Sequence, residues 1–179
     1  MADPLWTSSE IAAATKGAAN AAFSVSGITI DSRILVPGDL FVAIKDQRDG
    51  HDFVAAAMAA GAGGALVSRP TGTQNQVVVD DTLAGLTALG LAARDRSSAT
   101  RVAVTGSVGK TSVKEMLAQI FRAAGPAHWS EKSFNNQWGV PLTLARMPQQ
   151  TERAVFEIGM STPGEIAPRS RMVAPHGAL

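Results

Sequence analysis

Short β-branched and aliphatic runs alternate along this chain with alanine- and leucine-rich stretches of helical period, a pattern that predicts a mixed α/β fold. The opening "WTSSEIAAATKG" predicts a helix with a capping box, Thr7 accepting from the first turn and Glu10 reaching back, with Trp6 and Ile11 as a hydrophobic staple. "VSGITIDSR" predicts a strand that runs into a polar turn, and "VPGDLFVAI" a Pro-Gly turn feeding a second strand. "HDFVAAAMAAGAGGALVSR" predicts a short helix stopped by glycines, then a buried strand over Ala65–Ser68. "QVVVDD" predicts one more strand. A helix is expected from Thr82 to Arg96, with Leu83, Leu86, Leu89 and Ala93 on one face and Asp80 or Asp81 near its start.

After the polar break "DRSSATR" the plan changes, so a domain boundary is expected within residues 81 to 99. The second part predicts a strand over Arg101–Thr105 and a helix over residues 111 to 124 with Val113, Met116, Leu117, Ile120 and Phe121 facing inward. Three further pieces follow: a helix in "WGVPLTLARM", a buried strand in "RAVFEIGM" and a short helix in "PGEIAPRSRM".

Composition narrows the field. With 45% hydrophobic residues the 179-residue chain has ample material for a core, and a formal charge of +1 gives no general attraction to nucleic acid or acidic membranes. Zero cysteines remove disulfides and thiolate metal sites and fit a reducing cytoplasm. The N-terminus lacks the basic and apolar regions of a signal peptide, and the alanine-rich stretches are interrupted before a membrane-spanning length.

The candidate chemistry centres on "RVAVTGSVGKTSVKEML", a strand, a glycine-bounded turn, a lysine and a helix. Backbone N–H groups of Gly106, Ser107, Val108 and Gly109 are expected to converge on phosphate oxygens at the positive end of a helix dipole. Lys110 adds a full charge, Thr111 a hydroxyl suited to Mg²⁺, and Ser112 completes the motif. The general P-loop has a first glycine where Val104 stands, so this is the shorter T-G-x-x-G-K-T form. A glycine-rich turn with an incidental lysine is the plain alternative.

Glu157 sits in an otherwise apolar strand, where a carboxylate is costly unless paired or metal-bound. Beside the P-loop strand it would reach the metal; otherwise it meets solvent or an arginine. Asn135 and Asn136 serve either as turn formers or as ligand contacts. Lys132 and Trp138 fit solvated surface and core, and His51, His128 and His176 lack metal-ligand spacing and fit structural or surface roles.

Five stretches, "GITIDSRILVPGDLFVAI", "DGHDFVAAAMAAGAGGALVS", "VAVTGSVGKTSVKEML", "SFNNQWGVPLTLARM" and "FEIGMSTPGEIA", occur in an order that resembles the Mur ligases. The resemblance implies a cytoplasmic, monomeric enzyme of peptidoglycan synthesis that uses ATP and Mg²⁺. It would activate a UDP-N-acetylmuramoyl tripeptide as an acyl phosphate and join it to D-alanyl-D-alanine, with no nucleic acid or membrane partner. It implies a small N-terminal α/β UDP-substrate domain over 1–81, a linking helix and linker over 82–99, and the start of a P-loop parallel-sheet ATPase domain over 100–179. Residues Gly106–Ser112 would hold ATP with Lys110 in the catalytic role, and Thr111 and Glu157 would hold Mg²⁺. Asn135 or Asn136 would stand at the substrate junction, with Ser32, Arg33, Asp49, Gly50 and His51 at the UDP end.

Family members often carry Gly where Asp46 stands and Asn-His where Ser161-Thr162 stands. The family chain also continues into parts that hold a carbamoylated lysine, the adenine contacts and the dipeptide pocket. The expectation is therefore a fragment that binds the UDP end, does not ligate alone, and is weakly stable in its second half. The competing classes are a non-catalytic nucleotide-binding module, a P-loop kinase or nucleotidase, and a folylpolyglutamate synthase.

Overall fold

The computed structural model describes residues 3–131 and 134–179, so Lys132 lies outside the described residues. Two compact units divide between Leu89 and Gly90.

The first unit opens with β1 (Trp6–Thr7) and α1 (Ser8–Thr15). The capping box forms: Glu10 N–H donates to Thr7 Oγ1 at 3.3 Å and Thr7 N–H donates to Glu10 Oε2 at 2.7 Å. Trp6 and Ile11 are both buried. Then come β2 (Ala18–Ala19), β3 (Ser24–Val25), β4 (Gly27–Thr29), β5 (Asp39–Val42), α2 (Val54–Ala59), β6 (Gly64–Val67) and β7 (Gln76–Val78). Strands β1 and β3 form an antiparallel ribbon. The main sheet has the order β2-β7-β6-β5-β4, parallel except for β2 at one edge. Phe41, Ala65 and Val67 on one face pack with Val54 and Ala57 of α2. Helix α3 (Thr82–Asp95) starts at Asp81, whose Oδ1 accepts from Ala84 N–H at 2.6 Å, and buries Leu86 and Leu89 completely while Leu83 is half-buried.

The second unit contains β8 (Thr100–Val104), α4 (Lys110–Ala124), β9 (Ala127–Trp129), α5 (Gly139–Ala145), β10 (Arg153–Glu157), α6 (Ile166–Val173) and β11 (Gly177–Ala178). The sheet order is β11-β8-β10-β9, with every pairing parallel. Parallel sheets bury both faces, and here Ala103, Ala154 and Phe156 pack with Val140 and Leu144 of α5 and with Val173 of α6, while Val104 and Val155 pack with Ala118 of α4. The short strands at 6–7, 18–19, 127–129 and 177–178 have too few apolar positions to carry a period, and the sequence pattern predicts none of them.

One expectation is overturned. Val113, Met116 and Ile120 do not face inward but are 37%, 64% and 61% exposed, and Lys114 and Ala118 are buried in their place. Leu117 and Phe121 pack at the margin of the core, as expected. The cause is phase. Thr111 donates to Glu157 of β10 at 3.0 Å, and positions 114, 118 and 121 lie on the same side of a 3.6-residue helix as position 111. The bond to Glu157 and the packing of Ala118 on Val104 and Val155 share one phase, and Met116 and Ile120 on the other side of α4 are left exposed.

Two outcomes follow from this packing. In urea unfolding of this chain, Ile120→Gln changes stability by no more than about 0.5 kcal/mol, whereas Ala118→Leu costs about 1–3 kcal/mol by overpacking; the reverse order contradicts the rotation described. The second concerns His128, whose Nε2–H donates to the Thr143 carbonyl at 2.7 Å and whose pKa burial lowers from 6.5 to about 4. Below pH 6.5 the unfolded chain gains a proton that folded His128 refuses until about pH 4, so stability falls as pH drops through that window, by on the order of 2 kcal/mol. His128→Gln, which keeps a donor for Thr143, flattens that part of the stability–pH curve.

Candidate nucleotide-phosphate site

The second unit's site is built where two neighbouring parallel strands end. β8 and β10 run in register with Glu157 opposite Val104, so the chain leaving β8 turns directly beside the Glu157 carboxylate. Residues 105–109 make the turn, with Gly106 at φ 141° and Gly109 at φ 80°, values that side chains other than glycine adopt at a cost. Gly109 is the N-cap of α4, and its carbonyl accepts from Val113 N–H at 3.0 Å. Residues 107–112 with Asn135 and Glu157 line a cleft of about 320 Å³.

Glu157 is buried, yet both oxygens are engaged. Oε2 accepts from Thr111 Oγ1 at 3.0 Å and Oε1 from Asn135 Nδ2 at 2.7 Å. Two donors make a buried carboxylate tolerable and fix its orientation. Asn135 is held in turn by Gly159, whose N–H donates to the Asn135 carbonyl at 3.0 Å; a Cβ at Gly159 would lie 2.7 Å from the Asn135 carboxamide carbon. Lys110 folds back over the turn and donates to the Gly106 carbonyl at 2.7 Å.

Asn136 takes a different role. Its Oδ1 accepts from the N–H groups of Trp138 at 3.2 Å and Gly139 at 2.9 Å, capping the entry to α5. Of the adjacent pair, Asn135 reaches the cleft and Asn136 makes the turn. Trp138 is half-buried.

The donor set suits a hard divalent cation. Thr111 Oγ1 and Glu157 Oε2 are oxygens within 3.0 Å of each other at the cleft, and among the described residues no cluster of three His, Cys, Asp or Glu side chains exists that would hold a metal by itself. One carboxylate and one hydroxyl would leave a bound Mg²⁺ to draw further oxygen ligands from elsewhere.

In the first unit the remaining candidates follow the carboxyl ends of adjacent parallel strands, the usual location of ligand crevices in α/β sheets. Ser32 and Arg33 lie in a 3-10 turn after β4, where Arg33 is 86% exposed and its guanidinium pairs with Asp31 at 2.6 Å. Asp49, Gly50 and His51 follow β5, and Ser68 and Arg69 follow β6. His51 is buried: Ser68 N–H donates to its Nε2 at 2.8 Å, which leaves the proton on Nδ1 for Asp49 Oδ1 at 2.6 Å. The backbone N–H and ring of His51, aided by Arg69 at 2.9 Å, hold the Asp49 carboxyl well below the usual carboxylate range. Gly50 threads this turn, since a Cβ there would lie 2.6 Å from the Ile44 carbonyl oxygen. His51 thus braces the turn from inside. His128 is half-buried against Thr143, and exposed His176 accepts from Arg101 N–H at 3.0 Å. Sequence reasoning passed over Ser68 and Arg69, for which a polar pair at the end of a buried strand was the available signal.

No helix among the described residues is long and apolar enough to cross a membrane. Comparison with known proteins places this chain among named relatives. The UDP-N-acetylmuramoyl-tripeptide–D-alanyl-D-alanine ligase of Escherichia coli (strain K12) is 43% identical over 158 residues, covering 87% of this chain and 35% of the relative. The Bacillus subtilis (strain 168) enzyme of the same name is 39% identical over 160 residues, with the same coverage. Among solved structures, MurF from Acinetobacter baumannii matches 98% of this chain and 40% of its own length with a TM-score of 0.83 and 36% identity. The MurF ligase of Thermotoga maritima in complex with ADP matches 83% of this chain and 35% of its own with a TM-score of 0.67 and 31% identity. The chain therefore spans about a third of the length of the curated relatives it matches. Residues 104–179 match the Mur ligase middle domain, and residues 24–124, more than half of the chain, match the Mur ligase family, catalytic domain. This chain belongs to the Mur ligase family.

Proposed function

We propose that this chain is the UDP-substrate- and nucleotide-binding portion of an ATP-dependent ligase that adds D-alanyl-D-alanine to a UDP-N-acetylmuramoyl tripeptide in the cytoplasm. The observation that carries the reading is the Thr111–Glu157–Asn135 constellation at the mouth of a glycine-bounded loop. The similarity to relatives bearing that activity supports it. In this reading residues 1–81 receive the UDP end, 82–99 link, 100–179 hold the nucleotide, and the protein acts as a monomer.

The loop amides of residues 106–109 and the N-terminus of α4 receive phosphate oxygens, and Lys110 exchanges its bond to Gly106 for one to phosphate. Thr111 and Glu157 hold Mg²⁺, which neutralises charge on the phosphates. Phosphoryl transfer relies on positioning and charge stabilisation more than on covalent chemistry by the protein, and that is what these residues supply. The tripeptide carboxylate takes the γ-phosphoryl group and ADP leaves; the dipeptide amine then displaces phosphate to form the amide. Asn135 orients the acid at the substrate side. Ser32, Arg33 and the Asp49–His51 turn receive the UDP diphosphate and nucleoside, with Arg33 exchanging Asp31 for phosphate oxygens.

Lys110→Ala is expected to weaken ADP binding to this chain by about tenfold or more, the worth of one charge-assisted bond. Titration of ¹⁵N-labelled protein with ADP and Mg²⁺ measures it, with an unchanged circular dichroism spectrum as the control for folding. Undiminished affinity contradicts the reading.

A further inference from the structure

We propose that Lys114 is a positioning residue for the metal-holding acid Glu157, acting through Ser130; the inference rests on the nucleotide reading above. Lys114 is fully buried on the face of α4 that meets the sheet, a place where an aliphatic side chain of similar length would pack without losing the hydration of a charge. Its ammonium donates to the Ser130 carbonyl at 2.8 Å and pairs with Glu115 at 2.7 Å. Packing alone gives no use for that charge.

The use lies in what happens to the β9–β10 ladder. The parallel register pairs Val155 with Trp129, and Ser130 N–H donates to the Val155 carbonyl at 3.2 Å. One step further, a regular parallel ladder would give the Ser130 carbonyl to Glu157 N–H. Instead Lys114 holds that carbonyl, and Glu157 N–H donates to the Ser130 hydroxyl at 3.1 Å. Ser130 and Glu157 are both buried, so each of these groups needs its partner. The ladder stops at this residue, and Asn135, further along the chain, bonds the Glu157 carboxylate. Lys114 lies three residues after Thr111 on the same helical face, so one helix turn fixes the hydroxyl in front of Glu157 and the backbone behind it.

A lysine that only stabilises the fold would lower the melting temperature of a variant and leave the metal response intact. A positioning lysine predicts a selective loss. In wild type, Mg²⁺ strengthens ADP binding, and in Lys114→Met that gain shrinks by about tenfold while binding of ADP in EDTA weakens by less than about threefold. The Glu157 amide resonance of the ligand-free protein also shifts. Both are read by ¹⁵N titration of the 179-residue chain, a method that tolerates weak binding. An unchanged Mg²⁺ gain in folded Lys114→Met overturns the proposal. Should that variant not fold, Ser130→Ala, which removes only the hydroxyl that receives Glu157 N–H, must show the same selective loss, and an unchanged gain there overturns it equally. A wild-type chain that gains nothing from Mg²⁺ removes the nucleotide reading itself, and this inference with it.

Discussion

A carboxylate withdrawn from water at the end of a central parallel strand is the constraint around which the second unit is arranged. Glu157 is tolerable there because a hydroxyl from α4 and a carboxamide from the 134–138 segment each donate to it. Those two bonds dictate much else. They share the phase of α4's buried face, they require a glycine at position 159 so that Asn135 can lie flat against the chain after β10, and they stand beside the glycine-bounded turn. A buried acid is poor at stabilising a fold and good at holding a cation, so a site organised this way is better understood as a binding device than as a core.

The helix that carries Thr111 illustrates what a sequence hides. Hydrophobic period assigns Val113, Met116 and Ile120 to its buried face and does not place the lysine at 114 there. In the structure the lysine is inside while Met116 and Ile120 are largely outside, a phase shared with the polar contact of Thr111 to Glu157, 46 residues away. Periodicity measures the average preference of a helix. It has no access to a long-range bond that outranks that preference. Elsewhere local chemistry was enough. Thr7 and Glu10 cap α1, the glycines after α2 end it, and "AVFE" forms the buried strand beside the P-loop strand, since capping, breaking and β-branching act over a few residues.

The first unit shows a related limit. The residues expected at the UDP end follow the carboxyl ends of β4 and β5, as motif order suggests, but sequence alone does not separate a ligand contact from a brace. The buried His51, with its Nε2 taken by Ser68 and its Nδ1 by Asp49, holds the turn in shape, while Arg33 and Arg69 carry charge at exposed positions. Distinguishing the two needed the third strand end, which the sequence places 17 residues away from His51.

The central claim is that Thr111 and Glu157 share one divalent cation beside the phosphate turn. Substituting Mn²⁺ for Mg²⁺ in the ADP complex of ¹⁵N-labelled protein tests it directly, because the paramagnetic ion broadens nearby amide signals steeply with distance. The account predicts broadening centred on residues 109–112 and 157, abolished by Glu157→Ala in a protein that stays folded. Broadening centred elsewhere, or surviving that substitution unchanged, would contradict it.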